Sequence, residues 1–149
     1  MSEKIKSKVE KFFCQQLQRE IYRICLGDVI RSSESKINEL GVSQNPEEPT
    51  GSIGFLDGVL RRQNVPILRK GIRYMDPRDV FAILSIGIEP KYRGKKNADI
   101  LLKRAEELAT EFDREAIVTD SILLRAKQLY ERNGYYLYNA GRSAVKFLG

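Results

Sequence analysis

Apolar residues in the first part of the chain recur every three or four positions. They occupy positions 5, 9, 12, 13, 17, 21 and 24. On a helix this spacing places them along one face, so the pattern predicts an amphipathic helix over Ile5–Ile24. Ser2 and the charged residues after it are typical of a helix start, and Gly27 is typical of a helix end.

The segment between positions 33 and 75 gives weaker signals. A short second helix is predicted over Ser33–Leu40, closed by the glycine that follows it. The segment Gln44–Gly51 contains two prolines and two adjacent acids, and it is predicted to be a loop. Two strands are then predicted, Ile53–Leu60 and Val65–Tyr74, around a polar turn at Arg61–Asn64.

The second half has a clearer pattern of strands and helices. Val80–Ile88 is short, apolar on both faces and rich in β-branched residues, which is typical of a central buried strand. The elements predicted after it are a helix at Ala98–Phe112, a strand at Ala116–Thr119, a helix at Ile122–Arg132 that stops at Asn133-Gly134, and strands at Tyr135–Tyr138 and Ala144–Leu148. This order predicts an α/β fold in which helices cross over a mixed sheet.

Length and composition limit the chemistry that the chain can perform. Its 149 residues fit a single domain over 1–149. The absence of histidine excludes an imidazole base and a histidine-ligated zinc or haem. Cys14 and Cys25 are too few for a disulfide framework or a four-thiolate metal site. We therefore expect no metal site, and two buried, inert thiols in a reducing compartment.

The net charge indicates an anionic partner without fixing its kind. Lysine and arginine total 26 against 20 acids, which gives +6 and suits nucleic acid, an acidic substrate or a phosphorylated cofactor. The N-terminus alternates charges and lacks the apolar centre of a signal peptide. The longest nearly apolar run, Val80–Ile88, is too short to span a bilayer as a helix. We expect a cytoplasmic protein with no membrane partner.

The segment Ile88–Leu102 is the first candidate for chemistry. Pro90 ends the buried strand, and a cluster of cations then precedes a predicted helix. The cations are Lys91, Arg93, Lys95 and Lys96. The first amides of a helix and its dipole bind phosphate oxygens, and Gly94 lets the main chain approach a ligand closely. The segment therefore predicts a pyrophosphate cradle, with a solvated basic loop as the alternative.

A second motif lies in Ala126–Tyr138, where a helix ends, a turn follows at Asn133-Gly134 and an aromatic strand comes next. Together the two motifs, over about residues 80–138, resemble the GNAT superfamily of acyl-CoA-dependent N-acetyltransferases. The first GNAT signature, Q/R-x-x-G-x-G/A, is met by Arg93 and Ala98, whereas Lys96 stands in place of the internal glycine. The second, A-x-x-L-Y-E-x-x-G-F/Y, is matched at Ala126, Leu129, Tyr130, Glu131, Gly134 and Tyr135.

This resemblance implies a fold and a cofactor. A GNAT-like α+β domain has a mixed, mostly antiparallel sheet that is splayed at its central strand and flanked by helices. Residues 1–45 are then the helical acceptor side, 52–75 the first strands and 80–138 the core that binds acetyl-CoA, whose pantetheine arm lies in the splay. The residues implied to bind the cofactor are Ile86, Ile88, Arg93, Gly94, Lys95, Lys96, Asn97, Ala98 and Tyr130.

The resemblance also implies that an acceptor amine attacks the thioester directly. Tyr130 matches the tyrosine that often protonates the CoA sulfur. Many relatives carry a glutamate base early on the central strand, but Val80–Ile88 offers only Ser85. The candidate bases are Glu89, Asp120 and Asp57, each of which also fits a surface or capping role, and a chain of waters is a further alternative. The leading catalytic candidates are Tyr130, Glu89 and Asp120.

Two other classes of function stay open. One is a GNAT-fold protein that binds CoA or a protein without catalysis. The other is a basic nucleic-acid-binding module, in which Arg61-Arg62 and Arg69-Lys70-Arg73 form a rim facing the nucleic acid; the same residues also fit a solvated strand edge protected by charge. For an enzyme, the expected acceptor is an amine-bearing small molecule or a protein lysine or N-terminus. A homodimer is also left open.

Overall fold

The computed structural model describes residues 5–31, 49–120 and 122–149. Its strands are β1 (Ser7–Cys14), β2 (Arg19–Leu26), β3 (Val29–Arg31), β4 (Pro49–Gly51), β5 (Gly54–Arg69), β6 (Ile72–Ile88), β7 (Ala116–Thr119), β8 (Tyr136–Tyr138) and β9 (Ser143–Phe147). Its helices are α1 (Asn97–Glu111) and α2 (Lys127–Arg132), with short 3₁₀ turns at Pro90–Tyr92 and Leu124–Ala126. One mixed sheet has the strand order β1-β2-β5-β6-β7-β9-β8, and β3 pairs with β4. The α+β class predicted from the sequence is confirmed.

The chain divides into two compact units. The first contains the residues up to Asp57 and the segment Ser85–Leu101, and the second contains Gly58–Leu84 and Leu102–Gly149. The long strands β5 and β6 contribute residues to both units. None of the described helices is long and apolar enough to cross a membrane.

The described part of the first unit begins with a β-hairpin, so the helix predicted over Ile5–Ile24 is wrong, and residues 5–31 contradict the helical region predicted at 1–45. Strands β1 and β2 pair antiparallel from Ser7 opposite Leu26 to Cys14 opposite Arg19. The residues between the strands form a turn in which Gln18 has a φ of 54°. Gly27 therefore ends a strand. Cys25 is fully buried, as expected, whereas Cys14 is only partly buried.

Other predictions for the first unit fall partly outside the described residues. The helix predicted at Ser33–Leu40 lies outside them, as do residues 44–48 of the predicted loop. The last residues of that loop, Pro49–Gly51, form β4 and pair antiparallel with β3. The loop prediction is thus wrong at this end: Pro49 is the first residue of β4, a position in a strand that proline can occupy.

A long hairpin of β5 and β6 replaces the two strands predicted around Arg61–Asn64. That turn prediction is wrong, because these four residues lie inside β5. Arg62 and Asn64 lie on an exposed strand face, where the Arg62 guanidinium is 3.1 Å from the Asp79 carboxylate. Arg61 and Gln63 are partly buried on the opposite face, and the Arg61 Nε donates to the Gln63 side-chain oxygen at 2.7 Å. The actual turn is Lys70-Gly71, whose φ values of 52° and 77° are both positive, as a two-residue type I′ turn requires.

The order of elements predicted for the second half is confirmed. Helix α1 is within one residue of its prediction, and β7 matches its prediction. The helix predicted at Ile122–Arg132 is shorter, since its first part is a 3₁₀ turn. Strand β7 lies parallel to β6 and antiparallel to β9, which pairs antiparallel with β8. All four residues of β7 are buried in the core of the second unit.

Candidate functional site

The loop between β6 and α1 is held by main-chain and side-chain hydrogen bonds of the first unit. The Glu89 amide donates to the Ile53 carbonyl at 2.8 Å. The Arg93 Nε donates to the Ile88 carbonyl at 3.1 Å, and the Asn97 Nδ2 donates to the Tyr92 carbonyl at 2.9 Å. These bonds fix where the strand ends, where the 3₁₀ turn lies and where the helix starts.

Two residues of this loop have left-handed backbone conformations. Gly94 has a φ of 78° and Lys96 a φ of 61°. Lys96 stands where the GNAT signature has its internal glycine, and the left-handed conformation that glycine favours is kept despite the side chain. The Lys96 carbonyl accepts a bond from the Ile100 amide at 3.3 Å. Lys96 therefore lies directly before α1, whose first amides have no partners within the helix.

The loop also concentrates positive charge. Lys91, Arg93, Lys95 and Lys96 are all exposed. Within the described part of the chain none of them forms an ion pair, although the Lys91 Nζ lies 5.3 Å from the centre of the Tyr92 ring. Cations without acidic partners, next to the start of a helix, form a site suited to phosphate groups.

Four other residues predicted to bind the cofactor flank this loop in the chain. Ile86 and Ile88 lie half-buried at the end of β6, and Ala98 is partly exposed in the first turn of α1. Asn97 is 4% exposed, and its Oδ1 has no hydrogen-bond partner among the described residues. The Asn97 side chain is engaged by the Tyr92 carbonyl, so the group that Asn97 can offer to an anion is its main-chain amide.

In the second unit, Tyr130 lies beside Thr119, where the pairing between β6 and β7 ends. The β6–β7 pairing runs from Val80–Ala116 to Ile83–Thr119 and ends there, five residues before β6 ends. Tyr130 lies on α2 and is only 3% exposed, and its hydroxyl is hydrogen-bonded to the Thr119 side chain. Burial raises the pKa of the Tyr130 phenol, and the Thr119 bond partly offsets this rise. The hydroxyl therefore keeps its proton at neutral pH.

A second tyrosine packs against the first. The rings of Tyr130 and Tyr135 meet edge to face, with centres 5.4 Å apart and planes at 75°. The Tyr135 amide donates to the Tyr130 carbonyl at 3.0 Å, but the buried Tyr135 hydroxyl has no partner in the part of the chain that the structure describes. Burial, with a smaller contribution from Glu106, raises the Tyr135 pKa.

The sequence did not single out Thr119. Its only local signal is a polar side chain that closes an apolar strand, and this pattern occurs at many strand ends. The hydrogen bond to Tyr130 depends on how α2 packs on β7.

The three candidate bases lie in different surroundings. Asp57 is 8% exposed and accepts two bonds from Arg23, at 2.5 and 2.6 Å. The two Asp120 oxygens accept from the Ser143 hydroxyl at 2.9 Å and the Arg61 guanidinium at 3.3 Å. Glu89 is exposed at the end of β6, and its carboxylate has no hydrogen bond or ion pair within the described residues. Of the three, Glu89 alone has both oxygens available.

Comparisons with known proteins agree with this fold. A family model described as "Acetyltransferase (GNAT) family" matches residues 40–135. A search of curated proteins finds no significant match.

Solved structures show the same fold at low sequence identity. A mutant of the AtaT toxin is 6% identical with a TM-score of 0.59, covering 85% of this chain and 67% of that chain. A Klebsiella pneumoniae protein assigned as an acyl-CoA N-acyltransferase is 16% identical with a TM-score of 0.52, covering 87% and 73%. A chain of the KacTA–DNA complex is 10% identical with a TM-score of 0.52, covering 85% and 67%. The family match covers more than half of the sequence, and the protein therefore belongs to the GNAT acetyltransferase family.

Proposed function

We propose that the protein is an N-acetyltransferase that moves an acetyl group from acetyl-CoA to a primary amine, carried by a small molecule or by a protein lysine or N-terminus. The observation that carries the proposal is the Tyr130 hydroxyl, buried in its neutral form where the β6–β7 ladder ends and hydrogen-bonded to Thr119. A phenol held in this way is suited to give a proton to a leaving thiolate.

The loop from Arg93 to Ala98 is proposed to hold the pyrophosphate of the cofactor. Its residues fit that group because the left-handed conformations at Gly94 and Lys96 turn the main chain ahead of α1. The side chains of Lys95 and Lys96 add charge that no acid of the described residues neutralises. Ile86 and Ile88 at the end of β6 are proposed to pack along the pantetheine arm.

The reaction needs two proton transfers and no covalent enzyme intermediate. Acetyl-CoA supplies a thioester, whose carbonyl carbon is attacked by the acceptor nitrogen. As the carbon–sulfur bond breaks, Tyr130 gives its proton to the sulfur, and the amine gives its proton to a base. The base then loses that proton to solvent and Tyr130 regains one from solvent, so both groups return to their starting forms. The products are CoA thiol and an N-acetylated amine.

Glu89 is the base that we favour. Asp120 and Asp57 each have both carboxylate oxygens engaged by donors, including an arginine, so neither has an oxygen free to accept a bond from an acceptor amine. Glu89 has no such partner among the described residues.

The cofactor can be tested without knowing the acceptor. At a concentration about 100 times its dissociation constant, a ligand stabilises the folded state by roughly 2.7 kcal/mol, so acetyl-CoA is expected to raise the melting temperature. Acetyl-pantetheine, which lacks the phosphates, is expected to raise it much less. No shift at millimolar acetyl-CoA would exclude the cofactor.

The role of Tyr130 is tested by a pair of tyrosine variants. Tyr130→Phe removes one hydroxyl and is expected to lower turnover about 10²- to 10⁴-fold, the usual contribution of a general acid, with unchanged acetyl-CoA affinity. Tyr135→Phe is the matched control, because it removes the neighbouring buried hydroxyl, which has no partner in the described structure. Turnover is followed as thiol release over a panel of polyamines, peptides and lysine-bearing proteins.

The outcomes separate the proposal from the other classes. Equal turnover in both variants and the unaltered protein would reject Tyr130 as the acid. Cofactor binding with no acetylated acceptor in the panel would favour a non-catalytic GNAT-fold protein. Nucleic-acid affinity that falls steeply with salt, in the absence of any response to acetyl-CoA, would favour the nucleic-acid-binding module.

A further inference from the structure

The turn end of the β5–β6 hairpin, residues Leu68–Met75, carries a cluster of exposed apolar side chains. The exposed fractions are 70% for Leu68, 68% for Ile72, 51% for Met75 and 38% for Tyr74. We call this segment the hairpin end. The proposed acetyl transfer gives it no role.

The hairpin end is also strongly cationic. Residues 58–75 contain five cations and no acid. Two of them are neutralised further along the strand, since Arg61 pairs with Asp120 and Arg62 with Asp79. The cations of the hairpin end are Arg69, Lys70 and Arg73, and none of these forms an ion pair with any described residue. Arg73 does donate to the Tyr136 hydroxyl at 3.5 Å, which places a second exposed tyrosine beside it.

The two-residue turn determines which side chains share a face. It places Arg69 opposite Ile72 and Leu68 opposite Arg73, and the ion pair of Arg62 with Asp79 agrees with this register. Because directly opposed residues share a face and faces alternate along a strand, each face of the hairpin end presents an exposed aliphatic residue beside a cation. The element is therefore apolar and basic on both faces.

Because both faces of the hairpin end are apolar and basic, some classes of binding partner fit it better than others. A flat partner surface would cover one face and leave the other exposed. A second copy of the chain would bring equal positive charge against this one. Proteins that bind single-stranded nucleic acid combine a basic groove with aromatic side chains on which successive bases stack, whereas most exposed apolar residues here are not aromatic. An anionic lipid surface surrounds an inserted tip on both faces, takes up aliphatic side chains and attracts the cations.

We propose that the hairpin end inserts into the headgroup region of membranes that contain anionic phospholipid. An interfacial element penetrates about 5–10 Å, which at about 3.3 Å per residue takes in the turn and the two residues before and after it. Leu68 and Ile72 then reach the acyl boundary. Tyr74 lies at the headgroup level, where tyrosine is favoured. The proposal concerns surface contact and departs from the expectation that no membrane is a partner.

The absence of tryptophan from the chain allows a direct test with a fluorescent reporter. Leu68→Trp places the reporter in the hairpin end. Leu124→Trp is the matched control, because Leu124 is 79% exposed in the same unit but outside the hairpin. With vesicles of phosphatidylcholine and phosphatidylglycerol in equal parts, the emission of Leu68→Trp is expected to shift to shorter wavelength. The emission of Leu124→Trp is expected to stay unchanged, and so is that of both variants with pure phosphatidylcholine.

Vesicle sedimentation then separates charge from apolar insertion. Arg69→Gln with Lys70→Asn removes two cations, each contributing roughly fivefold to affinity for an anionic surface, and should weaken binding about 25-fold. Ile72→Ser should also weaken binding without changing the melting temperature. The proposal is overturned by no emission shift on anionic vesicles, by an equal shift at Leu124→Trp, or by vesicle binding that survives both tip variants. Tighter binding to a single-stranded RNA oligonucleotide that Ile72→Ser leaves intact would assign the surface to nucleic acid.

Discussion

Each of the two units buries a polar centre, and the two centres are satisfied in different ways. In the first unit the Arg23 guanidinium is 1% exposed and bonded to Asp57, and it also donates to the Pro49 carbonyl at 2.9 Å. The rings of Phe12 and Phe55 cover it, with centres 5.1 and 4.7 Å away. We call this group the ionic centre.

The second unit buries neutral hydroxyls. Tyr130 is bonded to Thr119, and Tyr135 packs against the Tyr130 ring with no partner for its own hydroxyl among the described residues. We call these three residues the tyrosine centre. Burial raises the pKa of both phenols, so both keep their protons at neutral pH.

The difference shows what each centre can do. A buried charge must have its partners in place, because a charge left unpaired away from water is strongly destabilising. The ionic centre is therefore fixed, and both oxygens of its carboxylate are engaged by Arg23. A neutral phenol is much less costly to bury and still carries a proton that it can transfer. The tyrosine centre is thus suited to acid catalysis, and the ionic centre to holding the first unit together.

Asp57→Asn should produce the largest change in stability. It leaves the buried Arg23 without a counter-charge, and breaking a buried pair in this way costs about 3–5 kcal/mol. The free energy of unfolding, measured in urea, should fall by that amount. Asp79→Asn is the matched control, because it removes an exposed pair with Arg62 that is worth about 1 kcal/mol or less. Equal losses in the two variants would contradict the difference drawn between the centres.

The ionic centre also explains two wrong predictions from the sequence, the helix that was to include β2 and the role of Asp57 as a base. In β2 the residues around Arg23 are buried on both faces, so strand alternation is missing and the remaining apolar spacing imitates a helix. Arg23 itself suggests an exposed position because charged residues are seldom buried. Its partner Asp57 is 34 positions away, and no local pattern links them. For the same reason, Asp57 was a candidate base in the sequence but is an ion-pair partner in the structure.

The parts of the site that could be predicted from the sequence are those formed by residues close together in the chain. The loop at Arg93–Ala98 and the helix that carries Tyr130 are each determined by a short run of residues, so both could be predicted from sequence motifs. The role of Thr119 and the engagement of Asp120 by Ser143 and Arg61 arise from packing between separate elements. Such contacts leave no periodicity in the sequence.

Thr119→Val tests whether the tyrosine centre works as a pair, and its expected effect is smaller. The Thr119 bond lowers the Tyr130 pKa, as a bond donated to the ionised phenol does, and such bonds are worth about 1 kcal/mol. Valine has nearly the same shape without the hydroxyl, so turnover should fall several-fold, whereas Thr119→Ser should keep most of it. In the Tyr130→Phe background, Thr119→Val should cause no further loss. Additive losses would mean that Thr119 acts only through packing.

The smallest effect is expected at neutral pH, where none of the buried phenols titrates. Burial raises the pKa of Tyr130, Tyr135 and Tyr138 above the usual phenol value, which is about 10. A group whose pKa is raised on folding contributes stability below its unfolded pKa and loses that contribution as the pH rises through its folded pKa. Melting temperature should therefore show no tyrosine-linked change from pH 7 to about 9, and it should fall above pH 10. Tyr130→Phe removes one of the three phenols, so the melting temperature of this variant should fall less steeply above pH 10.

The pH dependence of turnover tests the same property of Tyr130. Because burial raises the pKa of its phenol, loss of turnover caused by ionisation of Tyr130 should begin only above pH 10. A loss near pH 8 that depends on Tyr130 would show that Tyr130 is not buried as a neutral acid, and it would contradict the difference drawn between the two centres.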